Sequence, residues 1–317
     1  HAVGGAGRER HAAGRDADQL GDAELPVADV EVAHAVGVRR HQRRIGAEEH
    51  EAAVVRDVVP SDVGRVGADL LAVARHADDL RALQETVALC RNHSDRISIH
   101  TLDVTDREAV SSLPDSVARE HGVIDGLVNV AGVIHRFARV NDLEFAEIER
   151  IMDINFYGVL NMTKAFLPVL LKRPQAHIVS VSSMGSFVPV PGQTIYGASK
   201  AAVKLLMEGL HSELRDTNVG VTVVFPGAIA TNIAVNSGAM TAAENAAAAA
   251  TMRMTPSPVA AAKLVRGIEK GSYHVFIGSD SFLLDKLSRL MPARAAKIIY
   301  SQMRDLLTDQ PGSDRSA

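Results

Sequence analysis

The sequence predicts an α/β fold: a doubly wound parallel sheet covered by helices on both faces. Three observations carry that expectation. From residue 67 onward, short apolar runs alternate with longer segments of helical spacing, the pattern of strands buried between crossover helices. The two kinds of segment follow one another in regular succession, as parallel pairing requires. The residues with chemical potential fall at strand ends: Arg75, Asp103, Asn129, Ser183 and Pro226-Gly227. Ligands of such sheets bind beyond the carboxyl ends of the strands.

Each element follows from its own spacing. Residues 68–74 are an apolar strand, through Leu70, Leu71 and Val73. Leu80, Leu83, Val87 and Leu89 give helical spacing over 77–92. Residues 97–102 alternate and end at Asp103, a second strand. A helix is predicted over 106–121, a strand over 126–130 and one long helix over 144–171. Another strand covers 176–183. The helix over 196–216 carries Val203, Leu206, Met207, Leu210 and Leu214 on one stripe. A strand over 219–225 closes at Pro226-Gly227. Pro258 opens a helix over 258–270, where a missing N–H costs nothing, and 274–278 is a last strand.

Composition narrows the function. The chain has 317 residues and a net charge of -4, which gives nucleic acid no attraction. A single cysteine, Cys90, excludes an internal disulfide framework and a cysteine zinc cluster, and suits a reducing, cytoplasmic setting. No metal site is expected: His34, His41 and His50 lack ligand spacing. No apolar stretch reaches the roughly 18 residues of a membrane-spanning helix.

Residues 1–66 differ from the rest. They contain no Lys, Phe, Tyr, Trp, Met, Cys, Thr or Asn, so they can bury little apolar area against their ordering entropy. This segment reads as a poorly ordered appendage. Its nine arginines stand among twelve acidic residues with no aromatic for stacking, which argues against a nucleic-acid patch.

The chemistry centres on Tyr196 and Lys200, one helical turn apart and on one face. A lysine ammonium beside a phenol favours the phenolate and lowers its pKa. Such a tyrosine can give a proton to a carbonyl oxygen or take one from an alcohol. Ser183 ends the preceding strand, where its hydroxyl can hold the substrate oxygen. Asn155 lies inside a predicted helix, where an amide is unfavourable without a task. It can tie a water to Lys200. Each of these alone is weak; the four in register are not.

That ordered set resembles the short-chain dehydrogenase/reductase family over residues 67 to about 280. The likeness runs through Asp103-Val104, Asn129-Val130-Ala131-Gly132, Asn155, Ser183, Tyr196-Gly197-Ala198-Ser199-Lys200 and Pro226-Gly227-Ala228-Ile229-Ala230-Thr231. Val130 stands where the family usually has a second asparagine. The resemblance implies a Rossmann-like fold and reversible hydride transfer between a nicotinamide and a ketone, aldehyde or alcohol. It implies that Tyr196 is the acid/base, that Lys200 lowers its pKa and binds the nicotinamide ribose, that Ser183 orients the carbonyl and that Asn155 anchors a relay water. Asp103 and Val104 would flank the adenine. Asn129, Ala131 and Gly132 would line the cofactor cleft. Pro226, Gly227, Ile229 and Thr231 would contact the nicotinamide and phosphates. A homodimer or homotetramer, through the helices bearing Asn155 and Tyr196, is implied too.

Arg75 follows the strand whose end sets dinucleotide preference. A guanidinium there pairs with a 2′-phosphate that a carboxylate would repel, so NADP(H) is expected over NAD(H). The glycine-rich phosphate turn is missing, however. The window that should hold it, Glu48-Glu49-His50-Glu51-Ala52-Ala53-Val54-Val55-Arg56-Asp57, has four carboxylates and no glycine. A normal first strand and glycine loop are therefore not expected. The Ala/Arg/Gly/Val/His text of 1–66 is of the kind an alternative frame of a GC-rich gene produces. The competing reading is a cofactor-deficient relative that acts as a binding or scaffold protein.

The substrate region is apolar: Met184, Phe187, Val188, Pro189, Val190 and Pro191 lie between Ser183 and Tyr196, and Ile134 and Phe137 follow Gly132. A small hydrophobic carbonyl or alcohol is the expected partner. Residues 234–256 read as a mobile lid. Residues 281–317 read as basic amphipathic helices broken at Pro292 and a disordered tail. Packing on the core or a second subunit is favoured there over a membrane surface.

Overall fold

The computed structural model describes residues 34–39, 69–74 and 97–303, apart from 232, 252 and 253. The expected helix over 77–92, Gly67, Arg75 and the tail over 310–317 lie outside them.

The strands are β1 (His34–Arg39), β2 (Asp69–Ala74), β3 (Ile97–Thr101), β4 (Val123–Asn129), β5 (Ala176–Val181), β6 (Val219–Pro226), β7 (Ile229–Ala230), β8 (Thr255–Pro256) and β9 (His274–Ile277). Seven form one sheet in the order β3-β2-β1-β4-β5-β6-β9, while β7 and β8 form a separate ribbon. The pairs β2/β3, β4/β5, β5/β6 and β6/β9 are parallel, as the alternation of strands and helices predicts.

The first-strand slot holds a strand of reversed direction. β1 pairs antiparallel with both β2 and β4, with His34 opposite Val73 and Asn129. No strand was expected before residue 67. Its direction still agrees with the expectation that a normal first strand is missing. Arg39 pairs with Val123, so the chain leaves β1 at the amino edge of β4, away from the carboxyl edge.

The helices are α1 (Arg107–His121), α2 (Phe145–Met152), α3 (Val159–Leu170), α4 (Thr194–Glu213), α5 (Ile233–Asn236), α6 (Ala242–Thr251), α7 (Ser257–Glu269), α8 (Ser279–Leu290) and α9 (Pro292–Met303). Asp106 caps α1, its Oδ1 accepting from the Glu108 and Ala109 amides at 3.0 Å. Val110, Leu113 and Val117 of α1 join Met162, Phe166 and Leu170 of α3 and Leu127 and Ile178 of the sheet in one buried cluster. Val203, Met207 and Leu210 bring α4 into the same core. Burying a side chain such as Phe166 contributes about 1.5–3 kcal/mol.

The long helix expected over 144–171 is interrupted. Between α2 and α3 the chain makes a π turn, Asp153–Gly158. The extra residue per turn rotates Asn155 and Gly158 inward, and both are buried. Gly158 has no alternative there: a Cβ would lie 2.6 Å from Val104 Cγ2. A period of 3.6 reads straight through such an insertion, which is why spacing alone missed it.

The C-terminal helices break at Pro292, as predicted. Ala295 and Ile299 of α9 pack on Val188, with Phe187, Leu284 and Leu287 around them. Packing on the chain's own core is thus observed for one face of the pair.

Candidate active site

The carboxyl ends of β4, β5 and β6 bring the expected catalytic residues together. Tyr196 lies in the first turn of α4, half-buried, with Lys200 one turn further on and buried. The Lys200 Nζ donates to the Val181 carbonyl at 3.1 Å, where β5 ends. Ser182 ties the same region from the other side, its Oγ donating to the Lys200 carbonyl at 2.8 Å. Gly132 leaves room for the lysine end: a Cβ there would fall 2.7 Å from Lys200 Nζ and 3.4 Å from Asn155 Oδ1, so it would displace the ammonium.

Ser183 follows in extended conformation and opens a short 3-10 turn, its Oγ accepting from the Gly185 amide at 3.0 Å. A Cβ on Gly185 would stand 3.4 Å from Ser183 Oγ and 3.5 Å from the Tyr196 ring. The serine hydroxyl and the phenol therefore flank one bare glycine.

The Asn155 side chain joins three segments of the protein. Its Oδ1 accepts from the Val133 amide at 2.8 Å, and its Nδ2 donates to the Val133 carbonyl and to Ser199 Oγ, both at 2.9 Å. Both Nδ2 hydrogens and one Oδ1 lone pair are used, so the amide clamps the Gly132 loop, the π turn and α4 together. Ser199 completes the clamp by donating to the Tyr196 carbonyl at 2.7 Å. Its role was missed: a serine inside the Tyr-x-x-x-Lys interval gives no signal without the π turn opposite.

Electrostatics also depart from the charge argument. Burial pushes the Tyr196 phenol above its ordinary value, and the Ser183 hydroxyl beside it pulls back. The sequence argument expected Lys200 to set the direction downward. Here the direction is set by desolvation of the phenolate, and the group that opposes it is the Ser183 hydroxyl. Burial lowers Lys200 to about 8, because an ammonium loses hydration in that setting.

The remaining expected residues divide. Asp103 lies just past β3, its Oδ1 accepting from the Thr105 amide and hydroxyl at 2.9 and 2.8 Å. Val104 is buried beside Gly158, its carbonyl accepting from Asn161 at 3.0 Å. Asn129 is buried at the end of β4 and donates to Ser180 Oγ at 3.0 Å and Thr163 Oγ1 at 3.3 Å. Ala131 is buried beside it. Pro226 ends β6, the Gly227 amide donates to the Ile277 carbonyl at 2.8 Å, and Ile229 belongs to β7. Thr231 is exposed just beyond.

Asp280 was not foreseen. Its Oδ2 accepts from the Ala228 amide at 3.1 Å, and a Cβ on Gly227 would collide with its carboxylate at 2.3 Å. This acid holds the Pro226-Gly227 loop to α8. The lid is tied as well, Ser237 Oγ accepting from the Ile134 amide at 3.0 Å. Part of the apolar wall serves packing, since Val188 is buried under α9.

These residues fit the nicotinamide end of a dinucleotide: a bare Gly132, a phenol and an ammonium lie at the ends of β4 and β5, and the Pro226-Gly227 loop follows the neighbouring β6. The pyrophosphate end does not fit equally. With β1 reversed, the end of the strand, Arg39, stands at the amino edge of β4, and among the described residues no glycine-rich turn stands beside its carboxyl edge.

The geometry is that of an α/β fold that brings Ser183, Tyr196 and Lys200 to the ends of its central strands. The family model for short chain dehydrogenase matches residues 61–242, more than half of the chain, and the chain belongs to that family. It is an oxidoreductase of the type acting on CH–OH donors with a nicotinamide dinucleotide. SadH of Mycobacterium tuberculosis, named as an oxidoreductase, is 34% identical over 227 residues, covering 70% of this chain and 82% of SadH. A short-chain dehydrogenase/reductase from Burkholderia phymatum, solved with NAD, shares the fold with a TM-score of 0.63 at 22% identity, over 73% of this chain and 89% of that one. A serine dehydrogenase solved with NADP+ has a TM-score of 0.56 at 26% identity, over 65% of this chain and 82% of that one.

Proposed function

We propose that this chain interconverts a ketone or aldehyde and its alcohol with NADP(H), using Tyr196 as general acid and base. The observation that carries the reading is a double junction: Lys200 and Asn155 meet at Gly132, and Ser183 and Tyr196 meet at Gly185, with α4 carrying both Tyr196 and Lys200. Bound, the nicotinamide supplies or accepts the hydride. Ser183 holds the substrate oxygen, and Tyr196 moves the proton at that atom. A phenol kept protonated by burial is suited to donating in the reductive direction. Lys200, whose Nζ lies at the Val181 carbonyl, would hold the ribose of a bound dinucleotide. Asn155 positions the Gly132 loop against α4.

The preference for NADP(H) rests on Arg75, which follows β2; Val73 near its end and Asn129 both face His34, so β2 and β4 end at the same edge. The catalytic domain is taken as residues 67–280, in a cytoplasmic protein. A homodimer or homotetramer is supported by exposed Phe145, Tyr157 and Leu205 on the helices around Asn155 and Tyr196. The substrate is a small carbonyl compound or alcohol, with an apolar body.

A second reading is favoured by one observation, the reversed β1: a chain that no longer holds the dinucleotide and serves as a binding partner. The test is NADPH oxidation with a panel of ketones, by the wild-type chain, Tyr196→Phe and Arg75→Glu. Turnover should fall by about 10²–10⁴ in Tyr196→Phe, and Arg75→Glu should move the preference toward NADH. Full turnover in Tyr196→Phe would refute the assignment. A wild-type chain that neither binds nor oxidises NADPH would establish the second reading.

A further inference from the structure

We propose that the outer face of α8 and α9 docks on an anionic lipid surface. The inner face is already occupied: Ser281 donates to the Phe225 carbonyl at 2.8 Å, Asp285 is buried, and Ala295 and Ile299 pack on Val188. The helices are therefore fixed, and what they leave outside is a property of the folded chain.

That outer face mixes apolar side chains with cations. Leu283 is 66% exposed and Leu290 78%. With Lys286 they fall at i, i+3 and i+7, on one side of α8. Ile298 and Tyr300 are exposed on α9. Lys286, Arg289, Arg294 and Lys297 are exposed beside them. The single carboxylate between residues 281 and 303 is Asp285, bonded to Arg289 at 2.6 Å and 3.8 Å from Lys286. The whole chain carries a net charge of -4, so this positive face is a local concentration.

The chemistry selects the occupant. Leucines among long cations suit a headgroup boundary, where the apolar tips insert and the charges stay wet. A second copy docking face to face would set these cations against one another.

The test is flotation of the full chain with vesicles of phosphatidylcholine alone or mixed with phosphatidylserine. Binding should appear only with phosphatidylserine and weaken with added salt. Each of Lys286→Glu and Lys297→Glu should lower partitioning roughly fivefold or more, from about 1 kcal/mol per cation. Leu283→Asp with Leu290→Asp should abolish it, with thermal unfolding unchanged. The proposal is overturned by equal binding to both vesicles, by none to either, or by a dimer in solution that the leucine pair dissolves. No cofactor enters these measurements, so they stand or fall apart from the redox reading.

Discussion

The cleft edge around Tyr196 and the slot of the first strand are neighbours in one sheet, yet they obey different rules. At the cleft edge, side chains are fixed several times over. Asn155 makes three hydrogen bonds across two segments, and Gly132 and Gly158 are bare because Lys200 and Val104 fill the space. In the first-strand slot, β1 completes the backbone ladder on both sides but runs backward. A strand that only has to satisfy N–H and C=O groups can enter in either direction. A strand that must deliver a phosphate turn cannot. Backbone pairing and site construction are thus separable demands, and only the second depends on strand direction.

Substitutions can break this contrast. The largest effect is expected from Gly132→Ala, whose Cβ would sit 2.7 Å from Lys200 Nζ. Displacing the ammonium should cut turnover about 10²-fold through misplacement alone, with little change in Tm. An unchanged rate would show that Lys200 does not need its position.

Val36→Pro probes the other region. Val36 lies opposite both Leu71 and Leu127, so β1 has no free edge for a residue without an N–H. Unfolding by urea should report a loss of roughly 3 kcal/mol or more. Wild-type stability in this variant would mean that β1 contributes nothing to the sheet.

Asn155→Ala sharpens the clamp. It strands the Val133 amide and carbonyl and removes the donor to Ser199 Oγ, and should cost about 3 kcal/mol. Asn155→Asp keeps the Oδ1 acceptor for the Val133 amide and should recover part of that loss.

The smallest effect is a pH dependence at the sheet's other end. His177 donates to or accepts from Thr222 Oγ1 at 2.8 Å, and burial, then the charge of His211, lowers its pKa from 6.5 to about 4. The unfolded chain therefore takes up this proton more readily than the native one in that window. Stability should fall as pH drops from 6.5 toward 4, by roughly 2 kcal/mol, and be unaffected above. His177→Gln should flatten that acid limb in thermal melts.

Much of the fold was legible because strand and helix periods differ so clearly from residue 97 onward. The strands at 97–101, 176–181 and 219–226 fall within a few residues of expectation. The set Ser183, Tyr196 and Lys200 was legible because the chemistry needs those types at that spacing. Four things were not. The π turn hides inside an ordinary helical period. The phenol's shift upward depends on burial, which sequence spacing does not reveal. Asp280 reaches Ala228 across 52 residues, a contact that exists only once α8 is docked. The strand β1 was beyond reach as well: none was expected before residue 67, and the short stretch His34–Arg39 carries no signal of direction.

The most direct test is a calorimetric titration of this chain with NADPH, with NADH for comparison. Selective binding of NADPH that Tyr196→Phe preserves would support a competent nicotinamide site and a role for Arg75. Absence of heat with either dinucleotide would contradict the account, leaving Tyr196 and Lys200 an intact constellation with no hydride to work on.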